Sequence, residues 1–144
     1  MAEKADSVHW EGKGKEGQRT ISTETSAIKQ YRYGFASRFE DDRRGTSPEE
    51  ILGAAHSACF TMASSFACDK AGLATAGVDT TARVRFPKSD GGFVIDRIAL
   101  TIQATVAGID DAKVQESATA AKRDYPLSKA LASVPKITPQ ATLR

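Results

Sequence analysis

Several things are scarce in this sequence. Aromatic residues make up 7% of its 144 positions, and there is one tryptophan, Trp10. No uninterrupted apolar run comes near the roughly 18 residues that a membrane span needs. The opening lacks the basic start and apolar stretch of a secretory leader. No membrane partner is therefore expected, and the cytoplasm is the expected compartment. Charge of one sign is scarce as well. Twenty basic residues face 18 acidic ones, a net of +2, which disfavours nucleic acid as the main partner. Cysteine is limited to Cys59 and Cys68, and histidine to His9 and His56. No CxxC half-site is among them, so neither a metal nor another cofactor is expected. In a reducing compartment structural disulfides are rare, and a thiol is catalytic, metal-binding or simply buried.

What is present is ordinary for a folded protein. Hydrophobic residues are 40% and charged residues 26%, enough for a core without disulfide or metal staples. With no repeat, linker or low-complexity tract, the expectation is one domain over 1–144. Val8 and Trp10 alternate with polar neighbours and predict a strand. A glycine-rich turn over 12–17 follows, and the β-branched residues of 19–24 predict its hairpin partner. Tyr31, Tyr33, Phe35 and Phe39 predict a third extended segment, and 40–45 a charged loop. Ser47, Pro48 and Glu50 form a capping-box pattern that opens a helix. Gly72 ends it after Lys70. The helix is apolar or small nearly all round, so it is expected to be buried by sheet or by a second subunit. Alternation over 78–86 and 94–106 predicts a long antiparallel hairpin with one wet face, on which Arg83, Arg85 and Arg97 read as solvated charges. Asp110 opens a helix that Pro126 stops at Tyr125. A short helix near Leu127–Leu131 and an edge strand over 137–143 complete an α+β layout.

Five residues bear on candidate chemistry. Cys59 lies mid-helix, either as a reactive thiol or as a small buried hydrophobe. His56 sits one turn earlier, on the same face, as its partner or as a packed core residue. Cys68 cannot bridge to Cys59 within one helix. Nine residues give about 900° of rotation and about 13.5 Å of rise, whereas a disulfide needs Cα atoms within about 7 Å. Arg38 and Glu49 are candidates for tuning the thiol, or else ordinary surface charges. Ten helical residues place Glu49 about 15 Å from Cys59. For both to serve one site, the helix must break, near Gly53, or they must come from different subunits.

The string TSPEEILGAAHSACFTMASS at 46–65 resembles the OsmC/Ohr family, the osmotically inducible and organic hydroperoxide resistance proteins. HWEG at 9–12, YGFASRFE at 33–40 and GVDTTARV at 77–84 are similar to its OsmC branch. The resemblance covers nearly the whole chain. It implies an intertwined homodimer in which antiparallel sheets wrap two long central helices, with the sites at the subunit interface. It also implies a thiol-dependent peroxidase acting on organic hydroperoxides, with Cys59 as the peroxidatic thiolate, Arg38 stabilising it and Glu49 holding Arg38. The family's resolving cysteine precedes a proline in a Cys-Pro-Val-Ser-like string, and this chain has Tyr125-Pro126-Leu127-Ser128 there. An external reductant, a small thiol or a dihydrolipoyl group, is then implied for recycling. The alternative is a stress protein of the same fold that binds a small apolar ligand or partner thiol with peroxidase chemistry weak or lost.

Overall fold

The structure is a computed structural model. It describes residues 2–144, apart from the side chains of Gln18 and Asp124. The chain divides into two compact units, one up to Ile51 and one from Leu52.

In the N-terminal unit, β1 (Asp6–Glu11) pairs antiparallel with β2 (Gln18–Thr23), as the alternation predicts, and β3 (Tyr31–Arg32) adds to β2. The third extended segment is shorter than expected. After a single bridge between Tyr33 and Thr46, residues Phe35–Phe39 form the short helix α1. Spacing of two fits a strand for residues 31–35, but Phe35 and Phe39 are four apart and share one side of a helical turn. Their ring centroids lie 5.0 Å apart. The Gly34 N–H donates to Ser37 Oγ at 3.0 Å and the Arg38 N–H to the Gly34 carbonyl at 3.2 Å, which closes that turn. β1 is exposed on both faces, with Val8 57% and Trp10 51% accessible.

Helix α2 runs unbroken over Pro48–Lys70. Half of the expected capping box forms: the Glu50 N–H donates to Ser47 Oγ at 3.1 Å. The Glu50 carboxylate instead accepts from the Thr46 hydroxyl at 2.5 Å. At the other end Gly72 takes φ +69°. The Leu73 N–H reaches the Cys68 carbonyl and the Gly72 N–H the Asp69 carbonyl, both at 3.0 Å. This pair of bonds satisfies carbonyls that a helix end otherwise leaves open. Averaged over a window, α2 is long and apolar enough to cross a membrane, with mean hydropathy 1.3. Scattered Ser, Thr and His residues still break every apolar run in it, as expected from the sequence. Phe60, Ala63 and Cys68 of this helix are buried in the C-terminal unit, but most of the helix is not: Met62 is 58% and Phe66 56% exposed, so the burial nearly all round that its composition predicts is not met within one chain.

In that unit β4 (Thr75–Arg85) pairs antiparallel with β7 (Arg97–Val106) along nearly its whole length. The connection carries a small hairpin, β5 (Lys88–Ser89) with β6 (Gly92–Phe93). Val94 therefore lies outside the return strand to which the alternation assigned it, and is 46% exposed. Ile98, Leu100, Ile102, Ala104 and Val106 all point inward from β7. Helices α3 (Asp111–Asp124) and α4 (Pro126–Ala130) cross back to β8 (Lys136–Leu143). β8 joins β7 in parallel, so the sheet is mixed rather than purely antiparallel. A parallel neighbour needs a crossover of a dozen or more residues, which the two helices provide. Val114, Ala118 and Ala121 of α3 complete the core against Ile137 and Ala141. The fold is α+β.

Candidate active site

Arg38 and Glu49 come together. The Arg38 Nε donates to both carboxylate oxygens of Glu49, at 3.0 and 3.1 Å, and its Nη2 also donates to Oε1. This is the bidentate geometry that gives an arginine a fixed orientation. Glu49 is 6% exposed, whereas the Arg38 side chain is 37% exposed. Both were open to reading as ordinary surface charges, and the burial of Glu49 argues against that. The pair rests on local bonds. Ser37 Oγ donates to the Thr46 carbonyl at 2.7 Å, and the Thr46 N–H donates to the Arg32 carbonyl at 2.9 Å. These hold α1 against the segment entering α2. Sequence reasoning missed Ser37 and Thr46 as positioning residues. Ser37 lies in the string at 33–40 and Thr46 opens the string at 46–65, and those strings are their sequence signal.

Cys59 is half-buried in the middle of α2, in the C-terminal unit, and is a free thiol. Cys68 is also free and is 8% exposed. The unbroken helix removes one of the two arrangements left open for Glu49 and Cys59. Gly53 is no break point: a Cβ there would sit 3.3 Å from Val84 Cγ2 and 3.7 Å from the Ala82 Cβ, so it is a place where helix and β4 approach closely.

His56 is 1% exposed, and its Nε2 lies 3.4 Å from Ser128 Oγ. Burial holds its pKa below the usual imidazole value, so it is neutral at pH 7. No hydrogen bond joins it to Cys59 among the described residues, and the core reading of this histidine is favoured. The Tyr125 hydroxyl donates to the Ala63 carbonyl at 2.7 Å. Ala63 is one turn beyond Cys59, so the Tyr125 side chain is tied to the same stretch of helix.

The class the structure defines is a mixed-sheet α+β protein with a free thiol in the middle of its long helix and an arginine held by a buried carboxylate. The comparisons place it more narrowly. The family model described as OsmC-like protein matches residues 40–140. The chain is 44% identical over 128 residues to the "Peroxiredoxin OsmC" of Escherichia coli (strain K12), covering 89% of each. Among solved structures it is similar to the organic hydroperoxide resistance protein OhrB of Bacillus subtilis. The TM-score is 0.68 and the identity 23%, over 97% of this chain and 98% of that one. It is also similar to an organic hydroperoxide resistance protein OsmC from Legionella pneumophila, with TM-score 0.72 and 16% identity over 99% and 97%. The chain belongs to the OsmC family.

Proposed function

We propose that the protein is a peroxidase that reduces organic hydroperoxides. In this reading the Cys59 thiolate attacks the O–O bond. One oxygen is transferred to sulfur as a sulfenic acid, and the rest leaves as an alkoxide that takes up a proton to give the alcohol. Arg38 stabilises the thiolate and the departing negative charge, and Glu49 fixes the direction of the Arg38 guanidinium. An external thiol, a small thiol or a dihydrolipoyl group, then condenses with the sulfenic acid. Water leaves and a mixed disulfide forms, which a second thiol reduces back to the Cys59 thiol. No cofactor takes part. The observation that carries the reading is the bidentate Arg38–Glu49 pair on a buried carboxylate. The names of the relatives, peroxiredoxin and organic hydroperoxide resistance protein, agree with it.

The same reading takes 1–144 as one functional domain of a cytoplasmic homodimer. Met62 and Phe66, one turn apart on α2, are 58% and 56% exposed, and Val8, Trp10 and Tyr31 are each more than half exposed. So much uncovered apolar surface on one chain calls for a partner, and a second copy fits it. With α2 unbroken, a site using Cys59 together with Arg38 and Glu49 takes them from different subunits.

Tyr125 in place of a resolving thiol favours a second reading, a protein that binds a small apolar ligand or a partner thiol with the peroxidase step weak or lost. Consumption of cumene hydroperoxide, measured with glutathione, dithiothreitol and dihydrolipoamide in turn, separates the two. Peroxide loss that requires both a thiol and Cys59 supports the peroxidase. No loss above that of Cys59→Ser leaves the binding protein.

A further inference from the structure

Arg19 is a buried cation without a counterion. It is 5% exposed, its Nε has no hydrogen-bond acceptor, and no carboxylate among the described residues pairs with it. The β1–β2 register sets it opposite Trp10, and its guanidinium carbon lies 3.6 Å from the centre of the indole ring. Cross-strand neighbours on one face meet in this way. Two glycines leave room at its edges. A Cβ on Gly34 would stand 3.0 Å from Nη1, and one on Gly17 would stand 3.5 Å from Nη2. Gly34 has φ 175°, an extended conformation open to any residue. Space for the guanidinium, not backbone strain, is what glycine supplies there.

This guanidinium lines a cavity of about 160 Å³ together with Lys15, Arg32 and Arg44. The carboxylates on its wall are Glu16 and Asp42, so four cations face two anions. Asp42 is already engaged: its carboxylate accepts from Arg44 Nε at 2.8 Å and Nη2 at 3.1 Å. Neither Arg38 nor Glu49 is part of the lining. Burying a guanidinium with an open hydrogen-bond direction and no counterion is unfavourable unless something anionic completes it. The planar fork of arginine matches the two oxygens of a carboxylate or phosphate. The cavity is smaller than the roughly 300 Å³ at which pockets for drug-sized ligands begin, which suits an anionic group and little more.

We propose that this cavity binds a small oxyanion, a carboxylate or a phosphate group, with the Arg19 guanidinium as its principal ligand and Arg32 as a second cation. Its test needs neither Cys59 nor turnover. Trp10 is the sole tryptophan, and its ring stacks on the binding group, so its fluorescence reports occupancy. The full-length protein is titrated with inorganic phosphate and, separately, with acetate, against chloride at matched ionic strength, by Trp10 fluorescence and by calorimetry. The expected result is a saturable response to phosphate, to acetate or to both, absent with chloride. Phosphate alone identifies a phosphate site, and acetate alone a carboxylate site. Arg19→Gln is expected to weaken binding about tenfold or more, the size of a lost charge-assisted pair. Arg32→Gln, an exposed position that leaves the fold intact, is expected to weaken it about threefold. No saturable response to either anion in the wild-type protein overturns the proposal. So does an affinity left unchanged by Arg32→Gln together with unchanged binding in a folded Arg19→Gln or, if that variant does not fold, in Gly34→Ala.

Discussion

The Tyr125 hydroxyl donates a 2.7 Å hydrogen bond to the carbonyl of Ala63, one helical turn past Cys59. The phenol thus anchors the Pro126 turn to α2 at the position where the family resemblance implies a resolving thiol. The tyrosine has a packing role of its own there. Tyr125→Phe is expected to lower stability by about 1 kcal/mol, the worth of one hydrogen bond, as read from urea denaturation midpoints.

Oxidation chemistry follows from the same geometry. After one equivalent of organic hydroperoxide, intact mass is expected to show one added oxygen on Cys59, moving to two or three with excess oxidant. No Cys59–Cys68 bridge is expected within a chain, because both lie on the unbroken helix α2, about 13.5 Å apart along its axis and on opposite faces. Tyr125→Cys is expected to form a bridge to Cys59 and to protect it from over-oxidation. Peptide mapping that finds a Cys59–Cys68 bridge in one chain would contradict the helix geometry.

Removing Arg38 leaves the buried Glu49 carboxylate without its partner. Arg38→Ala is expected to cost about 1–3 kcal/mol, below the figure for a fully buried pair because the arginine is partly solvated. It is also expected to slow the reaction of Cys59 with cumene hydroperoxide about 100-fold, the usual loss for a donor aimed at developing charge. Glu49→Gln is expected to slow it less, since it acts only through Arg38. Stopped-flow rates of the single oxidation step, with stability measured in parallel, separate the two effects. Equal rates in wild type and Arg38→Ala would remove Arg38 from the mechanism.

His56 makes stability depend on pH. Its folded pKa is held below the unfolded value of about 6.5 by burial. Between those values the unfolded chain binds more protons, so stability is fully present above about pH 6.5 and is lost as pH falls towards the folded pKa. The slope is at most about 1.4 kcal/mol per pH unit for one proton. Urea midpoints of wild type and His56→Gln, compared from pH 7.5 to 5, are expected to converge as the pH drops. Parallel curves would show that His56 does not titrate on unfolding.

The exposed stripe on α2 gives the last expectation. Sedimentation at low micromolar concentration is expected to show twice the mass of the chain. The double change Met62→Glu and Phe66→Glu is expected to yield monomer. A wild-type monomer would remove the shared site.

Local patterns in the sequence were enough for the elements whose signals are short-range. The bounds of α2, the β1–β2 and β4–β7 hairpins and the stop at Tyr125 follow from caps, alternation and proline, each decided within a few residues of chain. Phe35–Phe39 was misread because its spacing suits a strand and a helix alike, and the bonds that Gly34 makes to Ser37 and Arg38 separate them. The motif around Cys59 marked the family, and with it Arg38 and Glu49.

By itself the sequence determined most of the element types, the family and the chemical types of the candidate residues, because propensity, capping and motif identity are properties of neighbouring residues. Tertiary structure alone decided the parallel docking of β8 on β7, the bidentate Arg38–Glu49 clamp, the Tyr125–Ala63 tether and the uncompensated burial of Arg19. Each joins residues from 9 to 62 positions apart in the chain. Their encounter depends on how surfaces pack and which polar groups lose water together, and no local pattern encodes that.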